Sequence, residues 1–255
     1  MKKVLSIVLA ITLVALIAVG FASCKGNKEE KQTLVMATNA EFPPYEFHEG
    51  DKIVGIDAEV AQAIADKLGM ELKIEDVAFD SIIPGVQAGK YDMGMAGMTV
   101  TEERQKSVNF STSYAKGVQV VIVKEGSDIK TIDDVKGKKI GVQTSTTGDI
   151  YASADPKDGG FGEENVTKYD NGAVAVQALL SGKIDCVIID NEPAKSYVAA
   201  NKGLTILETS YVEEDYAICF NKENTELQEK VNKALEELIA DGTVKSIVDK
   251  YIKAD

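Results

Sequence analysis

Segments with the composition of strands alternate with segments of helical spacing along most of the chain, from Thr33 to Tyr251. One of them places Val60, Ile64 and Leu68 four residues apart and ends on Gly69, which predicts a helix with a glycine C-cap. Strand–helix alternation at this spacing is typical of α/β proteins with mostly parallel sheets. The sequence therefore predicts the α/β class, with helices on the faces of the sheets.

Residues 1–23 have the layout of a secretory signal. Lys2 and Lys3 precede an almost unbroken apolar run, and small residues stand directly before Cys24. This arrangement resembles the lipobox of bacterial lipoproteins, which implies that Cys24 carries a lipid. The alternative is an uncleaved N-terminal anchor, because about 17 apolar residues is the lower limit for a membrane span. Either alternative places the chain outside the cytoplasm and tethers it to a membrane through residues 24–32.

The composition excludes several classes of function. A formal net charge of -13 disfavours a nucleic-acid partner. A single histidine, His48, rules out a zinc site built from several histidines. The phosphate-loop, nucleophile-elbow, HExxH and dinucleotide-binding motifs are missing, so we expect no enzyme and no metal or other cofactor. Cys186 and Cys219 lie in apolar strand-like runs and are predicted to be buried small hydrophobes rather than part of a disulfide framework.

Two segments of the chain repeat one pattern. The sequences at 88–97 (AGKYDMGMAG) and 181–190 (SGKIDCVIID) each contain a Gly-Lys turn and then an aspartate directly before a strand. The repetition fits two similarly built lobes. Ligands of open α/β sheets bind outside the carboxyl ends of the strands. Gly97 and Asp190, which end the two segments, are therefore predicted to line one cleft from opposite sides.

Arg104 is the single arginine among 28 basic residues. It lies one turn into a predicted helix whose N-cap is Thr101 and which follows Gly97. A guanidinium at that place offers a planar fork that binds a carboxylate bidentately, which a lysine cannot do. The alternative is a surface ion pair along the helix, which a lysine would serve equally well. The composition favours the anion-binding site.

Asp190 ends an apolar strand, so its carboxylate is expected to emerge at the mouth of a sheet, where it can hold an ammonium group. The alternative is an N-cap for the helix that begins near Asn191. An anion site on one lobe and a cation site on the other together describe a receptor for an α-amino acid.

Other polar and aromatic residues at predicted strand ends are candidates for the same cleft. The segment 143–148 supplies hydroxyls, backbone amides and a helix start, although by itself a capping turn explains it. Phe42, Tyr45 and Phe79 could flank a ligand side chain with aromatic faces, and a core position for Phe79 is an equal alternative. The methionines that precede Arg104 are predicted to serve packing.

From residue 33 to residue 251 the chain resembles the extracytoplasmic solute-binding proteins of polar amino-acid ABC transporters, in the branch of histidine, lysine-arginine-ornithine and glutamine receptors. The matching stretches are ATNAEFPPYEF, GIDAEVAQAIADKLG, FDSIIPGVQAGKYD, AGMTVTEERQKSVNFS, KGKKIGVQTSTTG, GKIDCVIID and VNKALEELIADGTVKSIVDKY. The resemblance implies a two-lobed, type II periplasmic-binding-protein fold whose lobes are joined by two hinge strands. It also implies closure over an amino acid, delivery to a membrane permease, and a monomer.

The resemblance assigns the α-carboxylate of the ligand to Arg104, the ammonium to Asp190 and a stacking contact to Phe42. It assigns backbone and hydroxyl contacts to Gly97 and Thr99. A second-lobe amide falls on Thr147. The full set of predicted ligand-binding residues is Asn39, Glu41, Phe42, Phe79, Gly97, Thr99, Arg104, Gln143, Thr146, Thr147 and Asp190.

One departure from the family pattern bears on the ligand. Receptors for cationic amino acids often carry aspartate where this chain has Asn39. Glu41 is the remaining candidate that could restore a negative charge, and Asn39 with Gln143 suits an uncharged polar side chain. The sequence therefore predicts a neutral polar amino acid rather than a cationic one.

The predicted lobes are 33–118 with 217–255, and 119–216. The crossings between them are expected near residues 117–120 and 216–219. Two other functions stay open from the sequence. One is an enzyme on the same scaffold, similar to cyclohexadienyl dehydratase, with Glu41 as the general acid. The other is the sensor domain of a signalling receptor, which would act through a partner.

Overall fold

The computed structural model describes residues 31–207 and 211–253. They form two larger mixed sheets and one small antiparallel sheet, with helices packed against them, as the α/β prediction requires. The predicted signal segment, Cys24 and nearly all of the tether lie outside the described residues. Among the helices in the described ranges, none is long and apolar enough to cross a membrane.

The strands of the described residues are β1 Thr33–Thr38, β2 Glu41–Phe42, β3 Glu46–Glu49, β4 Lys52–Val54, β5 Glu71–Asp76, β6 Met93–Gly94, β7 Val108–Phe110, β8 Ala115–Lys124, β9 Ile140–Gln143, β10 Val166–Tyr169, β11 Cys186–Asp190, β12 Leu204–Ile206, β13 Val212–Tyr216 and β14 Cys219–Asn221. The α-helices are α1 Ile56–Leu68, α2 Ile82–Gln87, α3 Glu102–Ser107, α4 Thr147–Ser153, α5 Gly172–Leu180, α6 Asn191–Ala200, α7 Thr225–Ala240 and α8 Thr243–Tyr251. Single 3-10 turns cover Phe79–Ser81, Ile132–Val135, Pro156–Asp158 and Glu163–Asn165.

The two larger sheets have the same construction. In the first, ordered β5-β1-β6-β14-β7, strand β1 runs parallel to β5 and β6, while β14 is antiparallel to its neighbours. In the second, ordered β10-β9-β11-β8-β12, strand β9 runs parallel to β10 and β11, while β8 is antiparallel to β11, β12 and β13. The parallel arrangement predicted from helical crossovers thus holds for three strands of each sheet. Strands β8, β13 and β14, through which the chain enters or leaves a lobe, are antiparallel to their neighbours.

The repeated sequence pattern is a repeated structure. Asp92 accepts a hydrogen bond from the backbone N–H of Val35 at 2.7 Å, and its own N–H donates to the carbonyl of Val35. Asp185 makes the same pair of bonds with Lys139, which directly precedes β9. Each aspartate therefore ties the start of one strand to the start of a parallel neighbour in the same sheet. The equivalence predicted for the two segments is confirmed by these contacts.

The connection between the lobes consists of strands that pair with each other. Strand β8 continues from Ala115 to Lys124, and β13 pairs with its first half, Tyr216 opposite Ala115. Both strands hydrogen-bond within the second sheet, whereas β14, which begins at Cys219, belongs to the first sheet. The boundaries at residues 118 and 216 stay a prediction.

The C-terminal helices return to the first lobe. Helices α7 and α8 both pack against α1. Tyr251 donates its hydroxyl proton to the carboxylate of Glu59 at 2.6 Å, and Lys67 pairs with Glu237 at 2.9 Å. The discontinuous first lobe that the resemblance implies is built by this packing.

The methionines of the β6 region, Met93, Met95 and Met98, are fully buried, as predicted. Cys186 and Cys219 are buried and free. The sequence analysis did not identify the small sheet of β2, β3 and β4, nor β13. Strands of two to five residues give too few alternating positions for a periodicity to be read.

Candidate functional site

A cavity lies between the carboxyl ends of the strands of both sheets. Residues of the first lobe and of the second lobe form its wall together. Its lining residues are Asn39, Phe42, Glu46, Phe79, Ala96, Gly97, Thr99, Arg104, Gln143, Thr146, Thr147 and Asp190. Ten of the eleven predicted ligand-binding residues are in this list, so the structure brings them together. Glu41 is not.

Arg104 is held in place from the start of helix α3. Thr101 is the N-cap, and its hydroxyl accepts a hydrogen bond from the backbone N–H of Arg104 at 3.1 Å. The guanidinium is 7% exposed, lies 5.5 Å from the ring of Phe79, and donates to the carbonyl of Thr99 at 2.8 Å. In the described part of the chain no carboxylate forms an ion pair with it. Arg104 is therefore a buried cation whose charge is available to a ligand, and not a member of a surface pair.

Arg104 also reaches the second lobe. A second guanidinium nitrogen donates to the carbonyl of Ser145 at 3.0 Å. Ser145 has a φ of 63°, the left-handed region that costs a residue with a Cβ about 1–2 kcal/mol. Its backbone N–H donates to the carboxylate of Asp149 at 2.9 Å, which holds this conformation. The strained turn directs a carbonyl of the second lobe at the arginine of the first.

Asp190 lies at the end of β11 and occupies the N-cap position of α6, but its side chain makes no capping hydrogen bond. The carboxylate instead accepts from the hydroxyl of Tyr216 and from the amide of Gln119, the latter at 2.8 Å. Gln119 also donates to Glu214 at 2.9 Å, so two carboxylates share one amide nitrogen. Asp190 therefore has the position of an N-cap, as the alternative from the sequence supposed, but its side chain does not cap the helix.

The surroundings of Asp190 oppose its ionisation. Burial first, and then the nearby charge of Glu214, raise the pKa of its carboxyl to about 7, against the lowering effect of the bonds from Tyr216 and Gln119. A positively charged group placed in the cavity beside Asp190 would favour the ionised carboxylate. Asp190 is thus suited to bind a cationic group of a ligand.

Direct contacts cross the cleft deep in the cavity. Gln143 of the second lobe donates to the side-chain oxygen of Asn39 at 2.8 Å. The hydroxyls of Thr99 and Thr147 lie 3.5 Å apart, one from each lobe. Polar groups on opposite walls can hydrogen-bond only when the lobes are close together. The structure therefore describes a closed arrangement.

Gly97 allows the close packing of the wall at the end of β6. Its φ is 51°, and a Cβ built on it would lie 2.8 Å from the ring of Phe42. Its N–H donates to the buried carboxylate of Asp57 at 2.9 Å, so this amide is already used by the protein. Phe42 forms the aromatic wall, whereas Tyr45 lies behind it with ring centroids 6.0 Å apart.

A model of the bacterial extracellular solute-binding proteins, family 3, matches residues 34–254. The chain belongs to this family. The match covers both lobes and the C-terminal helices, so it accounts for the fold and for the cleft alike. The expected two-lobed scaffold of a solute-binding protein is thus shown at the level of the family.

Individual members of the family are similar along their full length. The arginine-binding extracellular protein ArtP of Bacillus subtilis (strain 168) is 34% identical over 259 residues, with 100% of both chains covered. The L-cystine-binding protein TcyJ of Escherichia coli (strain K12) is 30% identical over 262 residues, covering 100% of this chain and 96% of its own. A solved structure, an ancestral arginine-binding protein bound to arginine, has 44% identity and a TM-score of 0.81 over 88% of this chain and 99% of its own.

In this solute-binding protein Glu41 lies away from the cavity. Its side chain is exposed, and only its backbone carbonyl faces the second lobe, where it accepts from the hydroxyl of Tyr197 at 2.7 Å. Residues 41 and 42 lie in one short strand, so their side chains point to opposite sides. Because Phe42 lines the cavity, Glu41 faces away from it.

Glu46 is the acidic residue that the sequence analysis missed. It lines the cavity, is 1% exposed, and receives no hydrogen bond from a donor group among the described residues; its carboxyl lies beside that of Asp57, with which it can share a proton. The preference for an uncharged ligand rested on Glu41 as the only spare carboxylate. That premise does not hold, because Glu46 stands in the wall and Glu41 does not.

A second buried carboxylate lies behind Glu46. Asp57 accepts hydrogen bonds from the N–H of Gly97 and, at 2.8 Å, from the hydroxyl of Tyr114. Burial raises the pKa of Asp57 to about 6, although both bonds lower it. Burial and the charge of Asp57 raise the pKa of Glu46 well above its ordinary value. A cation in the cavity would relieve this repulsion by pairing with Glu46.

Proposed function

We propose that the chain binds a free α-amino acid between its lobes and presents it to the permease of an ABC transporter. The observation that carries this proposal is that Arg104 and Asp190 line the same closed cavity from opposite lobes. A guanidinium fork fits the α-carboxylate and a buried carboxylate fits the α-ammonium. The other eight predicted residues in the wall supply the remaining contacts. Closure of the lobes around the ligand is the signal that the permease recognises.

The side chain of the ligand is cationic, with Glu46 as its partner. A buried carboxylate that receives no hydrogen bond from a donor group is costly, and a guanidinium or ammonium group offsets that cost directly. Phe42 and Phe79 provide aromatic faces on which a guanidinium stacks. The arginine-binding names of similar proteins support the same choice. L-arginine is therefore the ligand to test first.

Five finer features belong to the same proposal. The chain works outside the cytoplasm, attached to the membrane by a lipid on Cys24, and acts as a monomer. The chain passes from one lobe to the other at the boundaries predicted from the sequence. The protein catalyses no reaction. The general acid considered for an enzyme, Glu41, lies outside the cavity, and the carboxyl that does line it, Glu46, is assigned here to the side chain of the ligand.

Replacing Glu46 with glutamine tests the assignment of the side-chain partner. Glu46→Gln should weaken L-arginine by about 30-fold or more, because breaking one buried charge pair costs about 2 kcal/mol or more. It should leave L-glutamine, or L-citrulline with its neutral isosteric side chain, bound equally well or better. Isothermal calorimetry with each ligand measures the change in selectivity.

Glu41→Gln is the matched control. It makes the same chemical change on the neighbouring strand β2, on an exposed side chain outside the cavity, and should bind L-arginine like the original protein. If Glu41→Gln weakens L-arginine and Glu46→Gln does not, the specificity residue is Glu41. If neither changes the affinity for L-arginine, the cationic ligand is the wrong assignment.

A further inference from the structure

The two lobes also touch at the outer rim of the cleft. The hydroxyl of Tyr197 on helix α6 donates to the backbone carbonyl of Glu41 on β2 at 2.7 Å. Next to it, the hydroxyl of Ser196 lies 3.4 Å from the carbonyl of Pro43 and 3.1 Å from the carbonyl of Glu192 in its own helix. The short bond of Tyr197 is therefore the defined rim contact, because Ser196 has a closer acceptor within its own lobe.

The second lobe fixes the position of the Tyr197 ring. A Cβ placed on Gly172, at the start of α5, would lie 3.0 Å from that ring. The ring packs partly buried against the core of the chain, beside Ile189 and the α5 helix. The hydroxyl is therefore carried as a rigid extension of the second lobe. It meets the Glu41 carbonyl only when the lobes are closed.

The rim contact lies apart from the ligand site. Neither Tyr197 nor Glu41 lines the cavity. By contrast, the deeper contacts across the cleft involve Asn39, Gln143 and Arg104, which all line it. A substitution at any of those residues changes ligand contacts and closure together. A substitution at Tyr197 therefore changes closure without changing a contact to the ligand.

We propose that Tyr197 is a positioning residue that stabilises the closed arrangement through the Glu41 carbonyl and thereby slows ligand release. The inference rests on the proposed function, since it needs a ligand held by closure. A contact made only in the closed state increases the fraction of closed protein, and the apparent affinity increases by the same factor. This factor does not depend on the side chain of the ligand. It acts on the dissociation rate, because encounter with the open cleft precedes the contact.

Tyr197→Phe tests the inference, since it retains the ring and removes only the hydroxyl. We expect L-arginine, L-lysine and L-histidine each to dissociate about fivefold faster, the value of one ordinary hydrogen bond, with association rates unchanged. Release is followed by chasing labelled ligand with an excess of unlabelled ligand. The factor should be the same for every ligand that binds measurably.

Tyr211→Phe is the matched control. The hydroxyl of Tyr211 lies 3.4 Å from the carbonyl of Gly159, and both belong to the second lobe. Its loss should leave the dissociation rates unchanged. An unchanged dissociation rate in Tyr197→Phe, or a factor that differs between ligands, would overturn the role of Tyr197. If the original protein binds none of these amino acids, the proposed function fails, and the closure role falls with it.

Discussion

Arg104→Lys should weaken the binding of L-arginine by about 30-fold or more, which corresponds to about 2 kcal/mol. The lysine keeps the positive charge but cannot form the bidentate fork for the ligand carboxylate. An ammonium has three N–H donors, so if it donates to the carbonyls of Thr99 and Ser145 it keeps at most one for the ligand. The measurement is isothermal calorimetry on a variant whose circular dichroism shows the native fold.

The control for this substitution is Lys106→Gln on the same helix. Lys106 is exposed and pairs with Glu103, so its loss should leave L-arginine binding unchanged. An Arg104→Lys variant that is folded and binds as tightly as the original protein would contradict the role of Arg104. A loss shared equally by both variants would indicate that helix α3 responds to any substitution, whatever its charge.

Asp190→Asn should weaken L-arginine by about 100-fold, because the ligand ammonium then enters a buried site without a fully charged partner. The same substitution should have a much smaller effect on 5-guanidinopentanoic acid, which lacks the α-ammonium. Competition between these two ligands, measured by calorimetry, isolates the ammonium contact. Equal losses for both would show that Asp190 acts only by holding Tyr216 and Gln119 in place.

The pH dependence gives a second readout of Asp190. Its pKa of about 7 in the folded, ligand-free protein lies above the ordinary value of 3.8, so the folded state holds the proton more tightly than the unfolded state. This group therefore adds stability at low pH and loses it as the pH rises from about 4 to about 7. The ligand ammonium needs the ionised form, so affinity for L-arginine should increase as the pH rises through 7. Asp190→Asn should flatten that increase.

Much of the site could be predicted because it depends on local order. Thr101 and Arg104 are placed by a helix start that a capping residue specifies, and the structure confirms the Thr101 cap. Asp190 and Gly97 follow strands whose ends must face the cleft once the sheets are parallel. The composition also pointed to Arg104, because a single arginine among the basic residues indicates a specific role. Its guanidinium is indeed buried and not paired on the surface.

What could not be predicted depends on pairing between distant residues or on very short strands. The side that Glu41 and Glu46 face is set by the register of β2 with β3, two and four residues long. A shift by one residue would exchange the two acids between cavity and solvent. The local pattern points the wrong way, because alternation along a strand would place an acid between Tyr45 and Phe47 on the face opposite to theirs. The carbonyl contact of Tyr197, 156 residues away from Glu41, leaves no trace in the sequence.

The central claim, that both α-groups of an amino acid are held across the cleft, is tested most directly by calorimetric titration with L-arginine and with agmatine, its decarboxylated form. Both carry the guanidinium that Glu46 would bind, and only L-arginine carries the carboxylate that Arg104 would bind. We expect saturable binding of one L-arginine per chain and an affinity for agmatine that is at least about 100-fold weaker. Equal binding of the two compounds, or binding of neither, would contradict the account.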